Sequence, residues 1–377
     1  MKIALITSGH PPLDERIYWK FGKSLAENNN EITIICSTQA IEKEIETISI
    51  IGFVDIGLSK KDKIDKFYNL LIDIKPDVII CFEHFPVFSA YKYKKYQNNL
   101  CKIILDITEW YPENVAQKNK FNVFTYLKYY FNNILTSNLA NALIIGEITK
   151  KRRYDYFAPT KEKIIIGYYP ILKYFPPYYK EFNKKELVLC YAGLIKLDRG
   201  ILNIIDAAEE VRKKYMNFEI KILVIGKFEK QLDEDIFDLK VEQTKKIKIV
   251  RVGWFPYNEF SNNLKDVHIC LDLRTKNFIY NNSLPIKLFE YMALGKPFIY
   301  SDVPPIRKEL KEIDEYGFLV DPDNISEVVN RLHQYINNPS LMILQGMNNR
   351  KLIEEKLNWE EESKKLINFV NRLTKSE

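Results

Sequence analysis

The sequence predicts an α/β protein of two doubly wound domains in tandem, each a parallel sheet with helices on both faces. Short apolar, β-branched runs alternate with amphipathic segments along most of the 377 residues, the pattern of strands buried on both sides. That alternation lapses once, in a Pro-, Tyr- and Lys-rich passage over 168–185, and then restarts. A chain of this length also suits two domains better than one.

The first domain is expected over 1–170. Its strands fall at 2–7, 32–36, 78–81, 103–106, 142–145 and 164–166, with helices at 17–28, 64–75, 87–97 and 123–139. A linker follows over 171–186. The second domain, 187–357, has strands at 187–192, 220–225, 248–250, 269–272, 298–300 and 318–320. Helices lie at 201–214, 234–242, 258–264, 285–294 and 325–337. A last helix, 359–373, lies in the closing segment 358–377. Ligands of such sheets bind outside the carboxyl ends of the strands, which puts the expected site in a cleft between the domains.

Composition removes several function classes. Hydrophobic residues make 46% and charged residues 28% of the chain, as in soluble globular proteins. No run is apolar and long enough for a membrane span, and Met1 to Leu5 leads into a strand instead of a signal peptide. The net charge of +6 is too small and too mixed to point to nucleic acid. Five scattered cysteines and four scattered histidines form no zinc or redox spacing, so reduced thiols in the cytoplasm and no metal are expected. Two basic, tyrosine-bearing clusters, Tyr91–Tyr96 and Lys150–Tyr154, are either solvated helix ends or contacts to an anionic membrane. The first strand runs into Ser8-Gly9-His10-Pro11-Pro12, which lacks the Gly-x-Gly-x-x-Gly of nicotinamide enzymes.

The candidate chemistry concentrates in Asn281–Pro297, NNSLPIKLFEYMALGKP. Ser283 is a candidate cap, Pro285 suits a first turn and Gly295 a left-handed exit. The start of this helix near Leu284 offers free amides to a diphosphate, and Lys287 adds a full positive charge. Glu290, one turn on, can accept both hydroxyls of a ribose at about 1.5–3 kcal/mol per charged hydrogen bond. The competing reading is a plain Lys–Glu pair on a solvated face. Two further loops favour the nucleotide. Gly193 opens a strand-to-helix turn that delivers Lys196 and Arg199, with Gly200 allowing close backbone approach. Gly253 and Trp254 follow the third strand and offer backbone groups and an aromatic ring to a base.

These residues resemble the retaining GT-B glycosyltransferases of family 4, the glycosyl transferases of group 1. Pro-x-Lys-Leu-Phe-Glu-Tyr-Met-Ala-x-Gly-x-Pro, here Pro285 to Pro297, is similar to one of that family's most specific signatures. His10, Asp14, Arg16-Ile17 and Lys20 resemble the N-terminal loop of one subgroup. Asp106-Ile107-Thr108-Glu109 resembles a first-domain motif usually reading Asp-x-His-Glu, and Gly317 to Pro322 the closing turn of the donor domain.

The resemblance implies two Rossmann-like domains facing across a cleft, with the last helix crossing back to the first. It implies a nucleotide-diphosphate sugar held by the second domain and a glycan or lipid-linked acceptor by the first. The activity is then hexosyl or N-acetylhexosaminyl transfer in bacterial surface polysaccharide assembly, with no metal or other cofactor. Catalysis falls to Glu290, Arg199 and Lys196. Gly193, Gly253, Trp254, Asn282, Ser283, Leu284, Pro285 and Lys287 bind donor, while His10, Arg16 and Glu109 serve the first domain. The chain departs from the family at Asn282, where a first glutamate is common, at Leu194, often Arg, and at Thr108, often His. A nucleotide-sugar 2-epimerase of the same fold and an inactive sugar-binding subunit are the alternatives.

Overall fold

The computed structural model describes residues 1–118 and 122–375. The chain divides into two compact units: Met1–Tyr168 together with the segment from Trp359 onward, and Tyr169–Asn358.

The first unit is built on β1 (Lys2–Thr7), β2 (Glu31–Cys36), β3 (Thr38–Ile45), β4 (Ile48–Val54), β5 (Val78–Cys81), β6 (Lys102–Ile107), β7 (Ala142–Ile145) and β8 (Glu162–Ile165). Their order is β3-β4-β2-β1-β5-β6-β7-β8. Every pair is parallel except β3 with β4. The central strands are fully buried, with Ile6, Ile79, Ile103 and Leu143 in one core. Sequence patterning finds neither β3 nor its hairpin partner β4. In β3, Gln39 to Glu44 is charged and largely exposed. An edge strand with one free rim tolerates that, and its charges discourage edge-to-edge pairing.

The second unit carries β9 (Glu186–Ile195), β10 (Glu219–Phe228), β11 (Lys248–Val252), β12 (Ile269–Asp272), β13 (Phe298–Ser301) and β14 (Gly317–Val320), in the order β11-β10-β9-β12-β13-β14. All five pairings are parallel. Strand succession reverses between β9 and β12, as in dinucleotide-binding folds. The first sheet reverses likewise, between β1 and β5. At each reversal, adjacent loops diverge and leave a crevice at the strand ends.

Several local features complete this architecture. Helices also form at Ile148–Phe157, Phe278–Asn282, Pro304–Glu309 and Pro339–Glu355. The passage read as a linker packs within the second unit: Phe175 is fully buried, and the Tyr178 N–H donates to the Leu294 carbonyl at 2.8 Å. The last helix, Trp359–Lys375, belongs to the first unit. Its Trp359 stacks on Phe21 with ring centroids 5.7 Å apart and donates to Ser24 Oγ at 2.8 Å. Glu362 accepts the Gly167 N–H at 2.6 Å. All five cysteines are buried and free. Among the described residues, no helix is long and apolar enough to cross a membrane.

Candidate functional site

In the second unit the crevice lies at the ends of β9 and β12. Two glycines shape its floor. Gly193 has φ +135°, and opposite it on β10 Gly226 has φ +142°, both costly for other residues. A Cβ on Gly226 would stand 1.9 Å from the Gly193 carbonyl oxygen, so the strands need glycine there. Gly200, at φ +71°, brings the start of helix Ile201–Lys214 against Leu273, whose carbonyl oxygen would lie 2.1 Å from any Cβ. Across the same contact, the Thr275 N–H donates to the Asp198 carbonyl at 2.8 Å.

Arg199 leaves this turn toward Gly193, with Nη1 3.6 Å from the point where a Gly193 Cβ would sit. Its guanidinium lies beside Tyr191, Tyr280, Asp272 and Arg274. Its Nε is buried with no hydrogen-bond partner. Arg274, at the end of β12, holds the buried Asp272 with Nε 2.9 Å and Nη2 2.8 Å from Oδ2. The Tyr300 hydroxyl donates to the same oxygen at 2.7 Å. One carboxylate thus faces two guanidiniums, which leaves positive charge for an anion.

The second contributor is the helix Ile286–Ala293. Lys287 brings its Cγ to 3.7 Å from the same Gly193 position. Its Nζ pairs with Glu290 Oε2 at 2.5 Å, and Glu290 is completely buried. The pair therefore does not sit on a solvated face. Ser283 does not cap this helix, contrary to expectation. It closes the short helix Phe278–Asn282, while Pro285, extended at φ −80° and ψ 121°, takes the cap position without a side-chain bond. Leu284 and Pro285 separate Ser283 from the first helical residue. Those amides have no side-chain cap, which suits an incoming anion.

The remaining expected donor residues spread out. Lys196 is ion-paired with Glu229 at the end of β10, so its charge is committed there. Asn282 donates to the Phe278 carbonyl at 2.8 Å inside its own short helix. Leu284 is half-buried, and Pro285 is buried. Gly253 faces open space, and Trp254 is 59% exposed after β11, with Lys227 Nζ 5.5 Å from its ring centre.

The first unit's crevice holds His10 at the end of β1 and Glu83 at the end of β5. Glu83 accepts from Thr7 Oγ1 at 2.6 Å and from the Ser8 and Gly9 N–H groups at 2.9 and 3.1 Å. His10 stands between Asp14 and Glu83, at 3.2 and 3.4 Å. Burial opposes its charge, yet the hydrogen bond and charge of Asp14, with Glu83 and Glu109, raise its pKa to about 9. His10 is therefore an imidazolium at neutral pH. Glu109 is exposed and accepts from Asn114. Arg16 is buried away from solvent in a bidentate pair with Asp106, at 2.6 and 2.8 Å, and donates to the Ile166 carbonyl at 3.2 Å. Its fork is filled from within the unit. His84 is buried against Thr136 and Tyr111, and burial lowers it to about 3.

The basic cluster over 150–153 is not a free patch. Lys150 is buried and paired with Glu147, Lys151 pairs with Asp155, and Arg153 with Glu113. Arg274, Asp272 and Glu83 escape sequence reading because their importance comes from strand order. The one local signal was Asp272-Leu273-Arg274 closing an apolar strand.

Residues 179–365 match the family model described as glycosyl transferases group 1. Over 159 residues, 42% of this chain and 41% of the other protein, the sequence is 29% identical to an uncharacterized glycosyltransferase of Haemophilus influenzae. The chain thus spans less than half the length of that relative. Sucrose-phosphate synthase from Thermosynechococcus elongatus superposes over the whole of both chains with a TM-score of 0.78 at 14% identity. Anabaena HepE in complex with UDP gives a TM-score of 0.73 at 11% identity, covering 99% of this chain and 100% of that one. At such identities these likenesses show the GT-B fold. With the family signature carried on the helix beside Gly193, the region 179–365 belongs to the glycosyl transferases of group 1.

Proposed function

We propose that this glycosyltransferase moves a hexosyl or N-acetylhexosaminyl group from a nucleotide-diphosphate donor to a glycan or lipid-linked acceptor, with retention, at the inner face of a bacterial membrane. The observation that carries the reading is the opening above Gly193, bordered by the Arg199 guanidinium, the Lys287 stem and the uncapped start of the helix Ile286–Ala293. The structural neighbour HepE, bound to UDP and to UDP-glucose, supports a donor of this kind.

In this reading, Arg199 and the helix amides take the diphosphate, and Glu290 exchanges Lys287 for the ribose hydroxyls. Lys287, released from Glu290, turns its charge to the phosphates. The bond from the anomeric carbon to the diphosphate oxygen breaks as the acceptor oxygen bonds to that carbon on the same face. The acceptor's proton passes to the departing phosphate oxygen. The protein's share is to hold the donor and stabilise charge on the leaving group, and each such donor contributes about 2.7–4 kcal/mol. These groups need no metal to neutralise the diphosphate.

A thermal-shift series with UDP, GDP, ADP and their sugars tests this, because a ligand of the folded state raises its melting temperature. At least one diphosphate is expected to give an upward shift of about a few degrees. No shift with any of them would sink the donor assignment. Conversion of the sugar without acceptor would instead favour the epimerase.

A further inference from the structure

The helix Val123–Leu139 carries an apolar face turned outward. Its buried residues are Asn133, Thr136 and Ser137, all polar. Each is hydrogen-bonded within the first unit: Asn133 to the Tyr111 carbonyl at 2.7 Å, Thr136 to His84 at 2.8 Å and Ser137 to Asn133 at 3.3 Å. Five of its seven exposed residues are apolar, the other two being Lys128 and Asn138. Phe124 is 84% exposed and Phe131 63%, with Leu127 and Leu135 also exposed. These four recur at intervals of three and four residues, one stripe along the helix. Tyr130, Ile134 and Leu139 already pack on the unit's core, so the stripe is a second apolar face, exposed and not needed for that packing. A helix with such a face is built for an outer surrounding other than water.

Charge says which surrounding. The helix contains no acidic residue, and Lys128 stands exposed within the stripe. On the neighbouring helix Ile148–Phe157, the acids are matched: Asp155 pairs with Lys151, while Glu147 just before it pairs with Lys150. Glu113 is held by Arg153. Arg152 remains exposed and cationic. We propose that the Phe124–Leu135 stripe, with Lys128 and Arg152, docks the first unit on an anionic lipid bilayer. Apolar side chains enter the headgroup boundary while the cations meet lipid phosphates. The inference extends the reading of a membrane-borne acceptor, but it stands on this helix and not on the donor site.

Co-sedimentation of the full chain with vesicles of phosphatidylglycerol and phosphatidylcholine, and of phosphatidylcholine alone, tests it. Wild type is expected to pellet with the anionic vesicles, less so at high salt. Phe124→Ser with Phe131→Ser should weaken the partition by about tenfold or more, from the apolar area lost. Lys128→Glu with Arg152→Glu should abolish the preference for anionic lipid. These positions are exposed, so an unchanged melting temperature and UDP-induced shift would show intact folding and separate this outcome from failure of the donor reading. Wild type left in the supernatant, or equal pelleting of the double serine variant, would overturn the proposal. So would a wild-type dimer that the serine variant converts to monomer, since the stripe would then face a second copy.

Discussion

Arg199 and Lys287 meet over Gly193: Nη1 of the first and Cγ of the second lie 3.6 and 3.7 Å from the place a Gly193 Cβ would take. They come from different elements, one from the turn after β9 and one from the helix Ile286–Ala293. The glycine keeps the space between them open. Lys196, only three residues before Arg199, is tied to Glu229 instead.

That contrast separates two neighbouring cations. Arg199→Ala is expected to lower kcat/KM by about a hundredfold or more, the usual loss for a donor to a developing anion. Lys196→Ala should cost less than about tenfold, because its charge is spent on Glu229 outside the opening. Steady-state release of nucleoside diphosphate measures both. Equal losses would contradict the division of roles.

Glu290→Gln keeps the side chain's shape and removes its charge. UDP affinity should fall about tenfold or more, because a hydrogen bond to a charged acceptor contributes about 1.5–3 kcal/mol. Inorganic pyrophosphate has no ribose, and its affinity should hold or rise as Lys287 is released. Calorimetry with both ligands decides. A parallel fall for pyrophosphate would mean that Glu290 acts through Lys287 and not on the ribose.

His10 gives the fold a pH signature. Its folded pKa of about 9 stands above the ordinary 6.5, raised by Asp14, Glu83 and Glu109 against burial. A base shifted upward stabilises the fold fully below pH 6.5 and loses that contribution as pH climbs through about 9. Lys150, held down to about 7 chiefly by burial, has the opposite slope above pH 7. The difference in melting temperature between wild type and His10→Gln isolates the histidine. That difference should shrink from pH 6.5 to 9.5, and a constant difference would refute the assigned charge.

Trp359 ties the last helix to the first unit through Phe21 and Ser24. Trp359→Ala should destabilise that unit by about 3–5 kcal/mol, the range for a buried tryptophan. Urea unfolding should show an earlier transition, and an unmoved midpoint would mean that the helix is not integral to the unit.

Much of this was legible because it is local. The strands that form the two cores announce themselves as β-branched runs, and the helix carrying Lys287 and Glu290 as a periodic motif ending at Gly295. The hairpin of β3 and β4 was not legible, since the exposed faces of β3 remove the apolar signal. Nor was the packed state of the passage before β9, because its prolines and lysines read as a linker while Phe175 is buried.

By itself, the sequence determined two largely parallel sheets, the lapse of pattern between them and the turn glycines Gly193, Gly200 and Gly295. These follow from side-chain periodicity and backbone sterics within a few residues. Only the tertiary structure decided partners: Arg274 with Asp272, Lys196 with Glu229, Arg16 with Asp106 and His10 with Glu83. A charge chooses its partner by distance in space, and strand order brings together residues up to ninety positions apart. The same holds for helix Val123–Leu139, whose composition is visible in sequence while the apolar side it turns outward is set by packing.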